Sequence, residues 1–204
     1  MRAAPRKDRR SIFIFLRLPY TLFVPEPDFP ALRKATRDDA PAIARVHVDS
    51  WRTTYRDIVP EEHLAKLSYQ ERENLWKRAI ADPRQFTYVV EEGGRIVGFA
   101  NGGKNRGDES EYSGELYAVY LLQAHQQRGV GRRLTLAIAA ELEKSGMKSM
   151  IVWVLKDNPA CEFYRRLGGQ PVASKMTIIE GTTLEEVAFG WSDLGALLRP
   201  AGRP

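Results

Sequence analysis

The sequence predicts an α/β fold: a mixed, mostly antiparallel sheet with helices on both faces. Three observations carry this. Strand-like runs at 86–92 and 95–100 meet across Gly93-Gly94, a two-residue hairpin turn. An apolar run opening at Glu115 leads through a glycine-containing loop into a helical pattern and then into a second apolar run at 149–155. A crossover of that kind sets its two strands parallel. The last runs, 174–180 and 184–191, pair across Gly181-Thr182-Thr183.

The elements follow in order. Leu32-Arg33-Lys34-Ala35 reads as a first strand. Thr36 or Asp38 caps a helix that continues through Ile43, Val46 and His47 to about Trp51. A second helix starts after Pro60 with Glu61 and Glu62, and a third spans 69–81. A polar loop, 104–113, leads to the Glu115 strand. Leu134, Ile138 and Leu142 recur at i, i+4, i+8, which marks an amphipathic helix. Pro159 suits the first turn of the next helix because its missing N–H is not needed there. Asp157 or Asn158 caps that helix, Gly168 or Gly169 ends it, and Phe163 and Leu167 face the core.

Composition bounds the class. At 204 residues with 43% apolar content, one domain with a real core is expected. It occupies 31–195, after a basic, Pro-containing extension at 1–30 and before a tail at 196–204. A short strand is expected at 12–16 within the extension. No run of eighteen apolar residues exists, so no membrane span is expected. The lone Cys161 precludes an internal disulfide and fits the reducing cytoplasm. The net charge of +5 could suggest nucleic acid, but the first ten residues carry five positive charges against one acid. The domain itself is nearly neutral, and no nucleic-acid partner is expected. His47 and His63 lack metal-ligand spacing, so no metal is expected.

The chemistry concentrates at Gln126-Gln127-Arg128-Gly129-Val130-Gly131-Arg132. Glycines between a strand and a helix leave backbone N–H groups bare, and the helix dipole adds positive charge there. Arg128, Arg132 and Arg133 add full charges, so the segment reads as an anion cradle. An ordinary basic helix start with two turn glycines has the same spacing. The dinucleotide fingerprint is excluded because its third glycine position is Leu134, and the Walker loop because no Lys-Ser or Lys-Thr follows.

What remains, Q-x-x-G-x-G at 126–131, resembles the acyl-CoA pyrophosphate loop of the GNAT superfamily of N-acetyltransferases. A second segment adds to this. The superfamily follows a strand with N-x-x-A-x-x-F-Y-x-x-x-G, and Asn158, Ala160, Phe163, Tyr164 and Gly168 resemble it with one residue fewer before Phe-Tyr. The resemblance covers roughly Leu32 to Leu194, and its specific part is Glu115 to Gly169.

The resemblance implies a GNAT-type sheet whose two parallel central strands splay apart to admit acetyl-CoA as co-substrate. Backbone groups of Val119, Tyr120 and Leu121 would hydrogen-bond the pantetheine arm, and residues 126–132 with Asn158 would complete the cofactor site. Tyr164 would protonate the departing thiolate; its alternative is a half-buried aromatic with a satisfied hydroxyl. Glu115, a carboxylate opening an apolar strand, would take the amine's proton, often through water; its alternative is a solvated strand end. Tyr117 shares the Glu115 face by alternation, and Trp51 and Tyr55, at i, i+4, could wall the acceptor pocket. Arg52 and Arg56 could select an acidic group on the acceptor, or simply lie on the surface. The expected activity is N-acetylation of a primary amine by direct attack in a ternary complex. The alternative is a non-catalytic acyl-CoA-binding module on the same fold. A homodimer is compatible with either.

Overall fold

A computed structural model describes residues 30–107 and 111–199. The extension at 1–29 and its expected strand at 12–16 lie outside the described residues. Among the described residues seven strands form one sheet, in the order β1-β2-β3-β4-β5-β7-β6. They are β1 (Ala31–Lys34), β2 (Gln85–Glu92), β3 (Arg95–Lys104), β4 (Gly114–Leu121), β5 (Met150–Leu155), β6 (Gln170–Ile179) and β7 (Thr182–Trp191). The helices are α1 (Ala40–Thr54), α2 (Glu61–Lys66), α3 (Tyr69–Ala81), α4 (Val130–Lys144), α5 (Ala160–Arg166) and α6 (Leu194–Leu198).

All neighbouring strands are antiparallel except β4 and β5. That parallel pair touches only at Gly114↔Met150 and Glu115↔Ile151. Beyond these two pairs the strands diverge, as expected. β3 covers the other edge of β4 up to Leu121, and β7 covers the other edge of β5 along its whole length. The facing edges of 117–121 and 152–155 therefore carry backbone groups that no strand among the described residues satisfies, and a ligand arm can pair with them.

Apolar periodicity explains the layers. Val130, Leu134, Ile138 and Leu142 of α4 are buried with Leu116, Val152 and Phe189 on one face. On the other, Ile43 and Val46 of α1 and Trp76 of α3 pack against Val89 and Phe99. The helix entry is tied down by charge. Arg33 of β1 reaches Asp39 at 2.7 Å and Glu91 of β2 at 3.0 Å, while the Thr36 backbone N–H donates to Asp39 Oδ2 at 2.7 Å.

One boundary differs from expectation. The expected tail begins at residue 196, yet α6 runs Leu194–Leu198, with Leu194 fully buried and Leu197 and Leu198 packed on the main core. Five residues make barely more than one turn, too short to show helical periodicity, and only docking beside α4 stabilises them. Phe163 and Leu167 pack against the main core, as expected, while keeping some exposure; Cys161 and Tyr164 are the buried residues of α5.

Candidate functional site

The glycine loop closes the open end of the β4–β5 gap. Gly129 has φ 77°, the left-handed conformation, and caps α4 with no side-chain hydrogen bond. The first N–H groups of α4 thus have no side-chain cap, as an anion cradle requires. Gln127 is also left-handed, at φ 58°. The Gln126 side chain donates to Leu121 O at 3.2 Å, which joins the loop to the end of β4. Gly131 faces Leu121 and Phe163, each 3.4 Å from where a Cβ would sit.

The three arginines are not equivalent. Arg128 Nη2 lies 3.0 Å from Glu92, and Arg133 Nη1 donates to Pro30 O at 2.9 Å. Arg132 is exposed, and its side chain makes no ion pair or hydrogen bond among the described residues. The sequence counted three charges toward the cradle; packing commits two of them elsewhere.

Tyr164 is 5% exposed, and its hydroxyl makes no hydrogen bond among the described residues. Burial raises its pKa, and the neighbouring Tyr120 and Cys161 add to that, so the phenol keeps its proton. The end of α5 fixes the tyrosine's backbone. Gly168 is left-handed at φ 83°, Gly168 N–H donates to Arg165 O at 2.9 Å, and Gly169 N–H to Tyr164 O at 3.0 Å. These two bonds form a Schellman motif. Asn158 Oδ1 accepts from Ala160 N–H at 2.8 Å, and the residue is 5% exposed. Asn158 is therefore a cap for α5, and its side-chain oxygen is already engaged there.

Tyr120 enters through a bulge. In the β3–β4 register, Asn101 pairs Ala118 and Gly102 pairs Leu116, so Tyr117 is an extra residue on β4. A bulge reverses the alternation beyond it. Glu115 and Tyr117 share a face, as expected, since Arg106 stacks on Tyr117 at 3.7 Å and pairs with Glu115. Past the bulge, Tyr120 points to the α1 face, where it stacks on His47 at 5.0 Å. There it meets Trp51 and Tyr55, whose rings are 4.4 Å apart. Trp51 Nε1 is buried and faces the Tyr120 hydroxyl without closing a hydrogen bond. The expected wall of Trp51 and Tyr55 thus gains Tyr120, Tyr164 and His63, the last with its ring 5.6 Å from Trp51. Arg52 is not free for an acceptor: it donates to Leu67 O at 3.1 Å and Tyr69 Oη at 3.2 Å.

Glu115 departs most from expectation. It is 5% exposed and its carboxylate is fully engaged. Arg106 Nη2 is 2.7 Å from Oε1, Arg106 Nε 3.1 Å from Oε2, and the Arg106 backbone N–H donates to Oε2 at 3.0 Å. A forked guanidinium and a backbone N–H already occupy both carboxylate oxygens, so the group is committed to the loop and not turned toward an acceptor. The partner lies in the polar loop before β4, and no sequence pattern marks it.

His47 is a buried histidine held neutral. Trp76 Nε1 donates to its Nδ1 at 3.1 Å, and burial, helped by the charge of Arg72, lowers its pKa to about 3. An unfolded histidine titrates near 6.5. The folded value is depressed, so its stability contribution is present above about pH 6.5 and lost as pH falls toward 3. Between pH 7 and 5 the protein should lose about 2 kcal/mol by this group. Urea unfolding of the parent and of His47→Asn checks this: the variant should lack that part of the pH slope, and equal slopes would refute it.

Comparison with known proteins settles the lineage. The sequence profile described as the acetyltransferase (GNAT) family matches residues 45–169, more than half of the chain. This chain belongs to the GNAT acetyltransferase family. Over 166 residues, 81% of this chain and 95% of the relative, it is 42% identical to an uncharacterized N-acetyltransferase, YuaI, of Bacillus subtilis (strain 168). A mycothiol acetyltransferase of Pseudarthrobacter chlorophenolicus is 36% identical over 43% of this chain, which spans only 28% of that longer protein. Two GNAT neighbours share the fold. YncA from Salmonella typhimurium, solved with acetyl-CoA, has TM-score 0.63 and 22% identity over 86% of this chain and 97% of its own. The PaiA N-acetyltransferase of Thermoplasma acidophilum, solved with coenzyme A, has TM-score 0.58 and 19% identity over 77% and 96%. This GNAT member thus has the mixed sheet expected from its sequence.

Proposed function

We propose that this chain transfers the acetyl group of acetyl-CoA to a primary amine of a small molecule or peptide, by direct attack in a ternary complex in the cytoplasm. The observation that carries the reading is the gap itself. Two diverging strand edges offer backbone groups to the pantetheine arm, a bare helix N-terminus faces the pyrophosphate, and a protonated Tyr164 stands beside the gap with its hydroxyl unbonded. Val119, Tyr120 and Leu121 hold the arm; residues 126–132 hold the pyrophosphate. Trp51, Tyr55 and the Tyr120 ring wall the acceptor side, with Tyr117 nearer Glu115. The neutral amine attacks the thioester carbonyl, the tetrahedral intermediate collapses with cleavage of the C–S bond, the proton lost from the amine nitrogen passes to water, and Tyr164 gives its proton to the departing thiolate. No step needs a metal.

Glu115 we assign to anchoring the loop through Arg106, in place of the expected role as base. The same clamp favours, as a second reading, a module that binds acetyl-CoA without turning it over. Mass spectrometry of acetyl-CoA incubations with a panel of primary amines tests the function: an acetylated amine with release of CoA supports it. Binding without any product across the panel leaves the second reading. With an acceptor found, Glu115→Gln should lower the melting point and change turnover by the same factor at every pH. A loss that shrinks as pH rises toward the amine's own pKa would restore Glu115 as base.

A further inference from the structure

We propose that Glu92 is a positioning residue for the acetyl-CoA loop: its carboxylate clamps His125 and Arg128 on either side of Gln127 and so holds the left-handed turn that shapes the cradle. The proposal rests on the reading that this loop takes the pyrophosphate. Glu92 ends β2, in a different part of the chain from the loop it touches. Its Oε2 lies 2.7 Å from His125 Nε2 and its Oε1 3.0 Å from Arg128 Nη2. Between those two partners sits Gln127, at φ 58°, a conformation that costs a side-chain-bearing residue and persists only where its surroundings impose it. The Gln127 side chain is exposed and makes no hydrogen bond among the described residues, so it does nothing to impose the turn itself.

An exposed ion pair alone would be weak. This one differs at His125. The ring is largely enclosed, its side chain 18% exposed, and its buried Nδ1 has no partner among the described residues. Glu92 is thus the polar contact that keeps the imidazole in place, and without it an enclosed ring is left unsatisfied. His125 closes the short 3₁₀ turn Gln123–His125, one residue before the cofactor motif begins. Losing its seat frees the loop at one end while losing the Arg128 contact frees it at the other. The clamp does not touch the cofactor; it acts through the backbone of 126–129.

Isothermal titration of acetyl-CoA tests this on the full chain. Glu92→Ala should weaken acetyl-CoA about tenfold, the scale of one left-handed residue left unsupported. Glycine adopts the turn without that cost, so adding Gln127→Gly to Glu92→Ala should recover most of the loss. The gain from Gln127→Gly should be at least severalfold larger in the Glu92→Ala background than in the parent, a coupling that a general loss of stability would not produce. Unchanged affinity in Glu92→Ala would overturn the proposal. So would tighter binding, which would mean that Glu92 competes with the pyrophosphate for Arg128. A loss that Gln127→Gly does not recover would overturn it too. A parent protein that gives no heat with acetyl-CoA would remove the reading of the loop, and the clamp with it.

Discussion

Gly131→Leu is expected to abolish acetyl-CoA binding while leaving the fold intact. A Cβ at this position already sits 3.4 Å from Leu121 Cδ1 and from Phe163 Cε2 and Cζ, so the site accepts a methyl and nothing more. The further carbons of leucine must either push on those two side chains or turn outward, over the N–H groups that would face the pyrophosphate. Gly131 lies in the first turn of α4, where backbone approach is the whole basis of anion binding. Gly129 differs: nothing lies within 4 Å of its Cβ position, and a side chain there is resisted by the φ of 77° instead. The measurement is thermal unfolding. At about one hundred times its Kd, acetyl-CoA should stabilise the parent by about 2.7 kcal/mol. For a chain of this length that is a rise of roughly 5–10 °C. Gly131→Leu should show no rise. An equal rise in both proteins would sink the cradle reading, since binding would then not need the backbone at 131.

Tyr164→Phe should lower turnover by roughly ten- to a thousandfold, the usual range for a general acid. The substitution keeps the ring and its contacts with Phe163, Phe189 and Trp191. It removes a hydroxyl that makes no hydrogen bond among the described residues, so no partner is orphaned. Melting point and acetyl-CoA affinity should therefore stay close to the parent's. Because burial raises the pKa of this phenol, the acid form persists through the alkaline range, and the loss should be the same at pH 7 and pH 9. Turnover at the parent level would make the side chain structural and pass the proton donation to water or to Tyr120. The assay needs the acceptor found by the amine panel, and the Kd and melting point are read without it.

These effects bear unequally on what could be read in advance. Where a signal is local, the residues state the structure. Gly129 and Gly168 take the left-handed conformations that end or open a helix, Asn158 caps α5, and α3 runs Tyr69–Ala81 as its pattern demands. A cap, a C-terminal glycine and a 3.6-residue stripe each act within a few positions, so they survive without knowledge of the rest of the chain. The parallel β4–β5 pair was legible for a similar reason: a helical crossover has one favoured hand, and it leaves few ways to place the next strand.

The acceptor face was not legible, and the reason is physical. One extra residue at Tyr117 moves every later side chain of β4 to the opposite face, and whether a strand bulges depends on its pairing with β3, not on its own composition. Plain alternation therefore places the Tyr120 ring on the wrong face, while the tertiary structure stacks it on His47 beside Trp51 and Tyr55. Charge partners are decided the same way. Arg106 finds Glu115, and Glu92 finds both Arg128 and His125, because folding brings a loop and a hairpin end to places that sequence distance does not encode. The insertion of β7 between β5 and β6, and the docking of α6 on α4, likewise follow from which apolar faces remain uncovered once the rest has assembled. The sequence by itself determined the family and the local caps and turns that frame the gap, because these act within a few positions; only the packed structure decided which of the charged residues around the gap are already paired.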